Sequence, residues 1–283
     1  MSIRRNVAAI SALLLALGLG ACGNAASTGT AGKAAGSAKS SASAKQATPM
    51  TREQAAKYYE DLAKPFNDAL DAFQLEYYSH DGVAASDAAA KVARAARNAA
   101  AKMNRVTWPR NAAKYAKATA MDFAADAVDY GKYAQCTTIN EMDAIQTTSS
   151  SEHPSVGLRK ALGLGSAPGY NYFTVTDSRS DGVDDTGYAK GAFTIRNGLK
   201  STVYHMTATL SVIDDNGNSV SETYPQAQSP IPPGGTWAAD YIISPDELVK
   251  GTRIRITGVS WGVDDSMSES YQLAMSSDPL NLR

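Results

Sequence analysis

The hydrophobic period of this chain changes near residue 150, and no other feature constrains its fold as much. Up to Ile145 the apolar side chains recur at steps of three and four, whereas beyond Tyr170 they alternate with polar ones. The first spacing makes one apolar stripe on a helix, the second one apolar face on a strand. A chain that changes period once keeps its helices apart from its strands and does not build interleaved βαβ units. The reading is therefore α+β and multidomain, with an antiparallel bundle of about three helices over residues 50–148, a linker over 149–169 and a β-sandwich over 170–283.

In the first half, Thr51-Arg52-Glu53-Gln54 fits a capping box, in which the hydroxyl and the Gln side chain each satisfy an orphan backbone donor. Tyr59, Leu62, Phe66, Leu70, Phe73 and Tyr77 follow as one stripe, and Pro65 inside it predicts a kink or a break. Ser79-His80-Asp81-Gly82 ends this helix. A second helix is expected from about Ser86 to Val106, with Val92, Ala99 and Met103 opposed to Lys91, Arg94, Arg97, Lys102 and Arg105. Trp108-Pro109 makes the next turn, and a third helix is expected from Arg110 to about Ile145. Between residues 50 and 150 there are 12 basic and 13 acidic residues, so the basic face of the second helix reads as solvated rather than as a polyanion strip. A short helix from Pro154 is expected within the linker. Gly163 to Gly169 misses the G-x-G-x-x-G spacing and follows no strand, which excludes a phosphate loop.

In the second half, Tyr170–Thr176 and Ala189–Asn197 read as strands, and Met206, Ala208, Leu210 and Val212 alternate with polar neighbours. Asp215-Asn216-Gly217-Asn218 tolerates positive φ and makes a hairpin into Ser219–Tyr224. Trp237, Ala239, Tyr241 and Ile243 share a face, Ser244-Pro245-Asp246-Glu247 caps one helical turn, and Arg253–Trp261 is a strand with a bulge expected near Gly258. The run from Gly191 to Ile243, with Leu210-Ser211-Val212-Ile213-Asp214 before Asn216-Gly217 and Pro233-Gly234-Gly235 before an aromatic strand, resembles the FxLYD-type immunoglobulin-like domain of exported bacterial proteins. Leu210, Val212 and Ile213 stand where that family has Phe, Leu and Tyr, and Asp214 is identical. The resemblance implies an Ig-like β-sandwich outside the membrane and carries no catalytic residues.

At the start of the chain, Arg4 and Arg5 precede a mostly apolar run from Val7 to Leu19, then small residues up to Cys22. This is the order of a secretory signal, and the run of roughly 13 residues is short of the about 20 that span a bilayer. Leu19-Gly20-Ala21-Cys22 closely resembles the lipobox of bacterial lipoproteins. That resemblance implies cleavage after residue 21 and a lipid on Cys22, which then anchors the protein to the outer face of the cell membrane. Residues 22–49 are a Gly/Ala/Ser/Lys tether that cannot bury enough apolar surface to order itself, with an r.m.s. span of roughly 30 Å. Lys33, Lys39 and Lys45 read as solvated positions in it.

Motifs for chemistry are sparse. The formal net charge is -1 with 19% charged residues, which gives no nucleic-acid footprint. His80, His153 and His205 lie in separate elements without zinc-ligand companions, and no nucleophile elbow or S-x-x-K pair occurs. Cys136 has no second unlipidated cysteine to pair with and reads as a buried helix residue. No catalytic residue and no cofactor are expected. The sharpest remaining feature is acidic: Gly182-Val183-Asp184-Asp185-Thr186 and Gly262-Val263-Asp264-Asp265-Ser266 are near copies, with Asp181 beside the first. Asp181, Asp184, Asp185, Asp264 and Asp265 are weak Ca²⁺ candidates, since carboxylates in loops hold that ion, but a loop counted from Asp177 puts Arg179 third and Tyr188 twelfth, which is not EF-hand spacing.

The expectation is a lipid-anchored, non-enzymatic surface lipoprotein that binds an envelope or extracellular protein or a wall component through its sandwich. A structural or assembly-accessory lipoprotein, in which the helical bundle contacts a membrane partner and the sandwich is a spacer, is the second reading, and an unrecognised envelope hydrolase the third. Residues 170–283 hold 8 basic and 14 acidic residues, which disfavours an acidic wall polymer as the sandwich's partner.

Overall fold

The computed structural model describes residues 48–148, 154–165, 172–275 and 277–282. Helices come first and antiparallel sheets second, so the chain is a mixed α+β protein, as the single change of period implies. The helices are α1 (Arg52–Tyr78), α2 (Gly82–Met103), α3 (Ala113–Tyr133), α4 (Ile139–Asp143) and α5 (Pro154–Leu162).

The Thr51 hydroxyl accepts the Gln54 N–H at 3.2 Å and Gln54 Oε1 accepts the Thr51 N–H at 3.0 Å, the expected capping box. Pro65 does not end α1, which continues through it as one helix. The ring removes one backbone donor, but Leu62, Ala63 and Phe66 on either side are buried, and their packing holds the turn. α2 starts before Ser86, because Asp81 Oδ1 accepts the Ala84 N–H at 2.9 Å and caps the helix there. The third helix stops at Tyr133 instead of running to Ile145. Thr138 and Glu141 form a second capping box that starts α4 as a separate turn.

Alanines dominate the helical core, with Ala85, Ala89 and Ala96 fully buried on α2 and Ala116, Ala120 and Ala127 buried on α3. Phe66 meets Phe123 edge-on at 4.9 Å, and Phe73 stacks on Tyr133 at 5.8 Å. Leu158 and Leu162 of α5 are buried in the same core, so part of the expected linker packs with the helices.

The strands are β1 (Phe173–Val183), β2 (Ala189–Asn197), β3 (Tyr204–Ile213), β4 (Ser219–Thr223), β5 (Thr236–Ile243), β6 (Arg253–Gly262), β7 (Ser270–Ala274) and β8 (Leu280–Asn281), with α6 (Pro245–Lys250) between β5 and β6. One sheet has the order β1-β2-β5, the other β4-β3-β6-β7 with β8 also on β6. In β5, Ala239, Tyr241 and Ile243 are buried while Ala238, Asp240 and Ile242 are exposed, as the alternation predicts. Thr209 faces Gly258 and Leu210 faces Ile256, which leaves Thr257 as the extra residue of the expected bulge. Phe193, Ile195, Leu210, Val212, Ile254 and Ile256 belong to one core shared by both sheets.

The helical and sheet parts meet at the C-terminal end of α1. Tyr78 lies 5.8 Å from Trp261, 5.6 Å from Tyr172 and 5.6 Å from Tyr271, ring centre to ring centre. The Ser79 hydroxyl accepts the Lys200 N–H at 2.9 Å, Lys200 Nζ pairs with Glu76, and the Tyr172 hydroxyl lies 3.2 Å from the Asp71 carbonyl oxygen. Tyr78→Ala is expected to lower stability by roughly 2–4 kcal/mol, somewhat below the about 3–5 kcal/mol of a fully buried aromatic because the ring is half-buried. Calorimetry of this variant should show the helical and sheet parts melting at separate temperatures; one transition at the parent temperature would refute the joint.

Candidate functional site

α2 and α3 pack through alanines, and on the outer side of their seam lies a groove of about 740 Å³. Its floor is made by Ala90, Ala93, Ala127 and Gly131. Arg94 and Arg97, one helical step apart on α2, form one lip; Lys132 on α3 and Gln135 just after it form the other. Val128 between them is 55% exposed. Lys132 is partly neutralised by Asp129 at 3.1 Å, whereas Arg94 and Arg97 are exposed and make no ion pair among the described residues. The sequence identifies Lys91, Arg94, Arg97, Lys102 and Arg105 as a charged face, and all five are exposed. It does not show that two of them border a concave apolar surface, because the α3 half of that surface lies some thirty residues on.

Another face of α3 is acidic. Asp122, Asp126 and Asp129 fall on successive turns. Asp129 is 2% exposed and accepts the Thr148 N–H at 2.5 Å and the Thr148 hydroxyl at 3.0 Å, which ties the chain after α4 to α3. Asp126 is half-buried; burial, together with the charges of Asp122 and Asp129, pushes its carboxyl up to about 7.

The acidic near-copies are turns that hold themselves together. Asp184 Oδ1 accepts the Thr186 N–H at 3.0 Å and the Tyr188 N–H at 3.0 Å, and Oδ2 pairs with Lys190 at 2.7 Å. Asp264 Oδ1 accepts the Ser266 hydroxyl at 2.8 Å and the Ser268 N–H at 3.0 Å. Asp214 repeats the arrangement, with the Asn216 and Asn218 N–H groups at 2.9 and 2.8 Å. In each loop the third residue after the aspartate has positive φ: Gly187 at 88°, Gly217 at 85° and Met267 at 56°. The Lys190 ammonium and the Thr186 hydroxyl hold the Asp184 carboxyl well below the usual range, and the Ser268 hydroxyl and N–H lower that of Asp264 to about 2. The two near-copies are not brought together. Asp264 follows β6 next to Trp261, which touches Phe173, whereas Asp184 lies beyond the other end of the 11-residue β1, roughly 30 Å away. Asp181 pairs with Arg179 at 3.2 Å, Asp265 with His205 at 3.1 Å, and Asp185 is exposed. Among the described residues no three or more His, Cys, Asp or Glu form a group able to hold a metal.

His80 lies at the α1–α2 turn, 3.6 Å from Glu269; Cys22 and His153 fall outside the described residues. Cys136 follows α3 rather than lying within it, half-buried, with its thiol donating to the Lys132 carbonyl at 3.6 Å; burial raises its pKa, which disfavours the thiolate.

No family model matches the chain, and no curated protein does. Among solved structures, Northeast Structural Genomics Consortium target SoR45 is similar over 40% of this chain and 86% of its own at 15% identity and a TM-score of 0.26. Red sea bream transglutaminase is similar over 50% of this chain and 20% of its own, at 8% identity and 0.26. DesR, a beta-glucosidase from Streptomyces venezuelae, is similar over 71% and 36%, at 11% identity and 0.23. At these scores the likenesses carry no argument about fold or activity.

Because the loop aspartates are engaged by their own turns, millimolar Ca²⁺ is expected to leave the melting temperature unchanged; a rise with Ca²⁺ concentration would contradict this. Asp126 gives a pH signature. A carboxyl whose pKa is raised by folding does not oppose folding below its unfolded value near 4, and destabilises increasingly as pH rises through about 7. Asp126→Asn should therefore raise the melting temperature by about 2–4 °C at pH 8, the response of a protein of this size to about 1 kcal/mol, and leave it unchanged at pH 4.

Proposed function

We propose that this chain is an exported bacterial lipoprotein, held on the outer face of the cell membrane by a lipid on Cys22, that acts as a non-enzymatic binding module. In this reading the helices form a bundle and the two sheets an Ig-like sandwich of the FxLYD type. One observation carries the binding role: the groove between α2 and α3 has an apolar floor, and the two arginines of its lip have no ion-pair partner among the described residues. A concave apolar surface edged by a few placed charges is the form that recognition sites take. Its lining of alanine, glycine, valine and cations serves to hold a partner rather than to transform one.

The expectation drawn from the sequence puts the binding face on the sandwich. The proposal moves it to the helices, with the acidic sandwich presented beyond them. No helix among the described residues is long and apolar enough to cross a membrane, and attachment in this reading rests on the lipid and the tether. A diacylglyceryl group brings two chains, each buried CH₂ contributing about 0.8 kcal/mol, which holds a protein stably where a single chain binds reversibly.

Cys22→Ala should abolish fatty-acid labelling and move the protein from the membrane fraction to the soluble one. A variant that stays membrane-bound and labelled would refute the anchor.

A further inference from the structure

We propose that the α2–α3 groove is the docking site of an acidic amphipathic helix from a partner protein, an inference that rests on the binding-module reading and names its partner by chemistry. The first support is Gly131. A Cβ there would meet nothing within 4 Å among the described residues, although glycine inside a helix costs about 1 kcal/mol relative to alanine. The other helical glycines are required by the chain's own packing: a Cβ on Gly82 would fall 2.6 Å from the Thr137 carbonyl oxygen, and one on Gly157 would fall 2.5 Å from the Tyr115 ring. Gly131 answers no such need and lies on the groove floor, where a missing side chain lets another backbone approach closely.

The dimensions and the charge agree. The groove extends from Ala90 to Ala100 on α2 and from Ala124 on α3 to Gln135 just beyond its end, about 16 Å, or three turns of helix. Arg94 and Arg97 present guanidinium forks that match carboxylates in a bidentate manner. The occupant is thus a helix with small or apolar residues at steps of three and four and Asp or Glu alongside them. A second copy of this chain meeting symmetrically would set these arginines near their own counterparts, which is unfavourable. An anionic lipid surface would meet the charges but has no use for the gap at Gly131.

The test places a photoreactive phenylalanine analogue at Val128 of the full, anchored chain in its own cells. Val249, 82% exposed on α6, carries the analogue in a reference strain, and crosslinked peptides are sequenced. The expected Val128 product is a peptide of another protein with two or more Asp or Glu at helical spacing beside apolar residues. Its yield should fall at least tenfold in Arg94→Glu/Arg97→Glu and in Gly131→Leu. Gly131→Ala guards against misfolding as the cause, since it should lower the yield while raising the melting temperature. Products with lipid, with this chain's own peptides or with a peptide lacking the acidic pattern would overturn the proposal, as would a yield indifferent to all three variants. Protein products at Val249 alone would overturn the groove but leave the binding-module reading standing, and none at either position would overturn both.

Discussion

The ring of Tyr78 joins the two parts of the molecule, and much of its shape follows from that contact. Trp261, against which it packs edge-on, is 1% exposed and belongs to the core between the sheets. The last turn of α1 therefore rests on that core, with Leu75, Tyr77 and Tyr78 half-buried against it. Polar contacts around the ring fix its orientation: the Tyr172 hydroxyl faces Asp71 and Gln74, and Lys200 reaches both Ser79 and Glu76. Aromatic pairs add directional preference to burial, and a cluster of them resists rotation in a way that an aliphatic contact does not. With α1 held at this end, α2 and α3, packed on it and on each other through alanine, are held too.

Local patterns in the sequence reveal most of the elements and little of the joint. The capping box at Thr51, the alternation in β5 and the bulge at Thr257 depend on residues within a few positions of one another, and the chain displays them directly. The same locality exposes errors of degree. Pro65 reads as a break because the rule counts one lost hydrogen bond and not the burial on either side, and α3 reads too long because the Thr138–Glu141 capping box lies inside an otherwise helical pattern. Tyr78, Tyr172, Trp261 and Tyr271 come from four separate elements, and nothing in their spacing announces that they meet. The groove is hidden for the same reason. Its arginines are visible as a charged face, but Gly131 acquires meaning only when the space above it is seen to be empty.

The repeated acidic loops show how a sequence signal can be real and yet concern folding. Asp184, Asp214 and Asp264 each follow a strand and each close a turn by accepting backbone N–H groups two or four residues on, with a positive-φ residue between. The repetition arises because hairpins between right-twisted strands need this turn chemistry wherever they occur. A carboxylate serves better than an amide here, since an ionised acceptor makes the stronger hydrogen bond to N–H. Met267 stands in the third loop where the other two have glycine, and it bears the strain of φ 56°. Its sulfur lies so near Gly262 that a Cβ on that glycine would fall 2.4 Å from it, which indicates how closely the turn is packed onto β6.

The direction of the chain sets where the groove lies between the two ends of the helical part. α1 begins at Arg52, and its 27 residues extend for about 40 Å before Tyr78 packs against the sheet core. α2 returns toward the start of α1, where the Tyr58 hydroxyl donates to the Lys102 carbonyl at 3.1 Å, and α3 runs back toward the sheets. The groove residues of α2 and α3 therefore lie along the side of the helical part, between the two ends. The basic lip of the groove is thus set apart from the acidic sheets, within a helical part that is itself near neutral, with 12 basic and 13 acidic residues between positions 50 and 150.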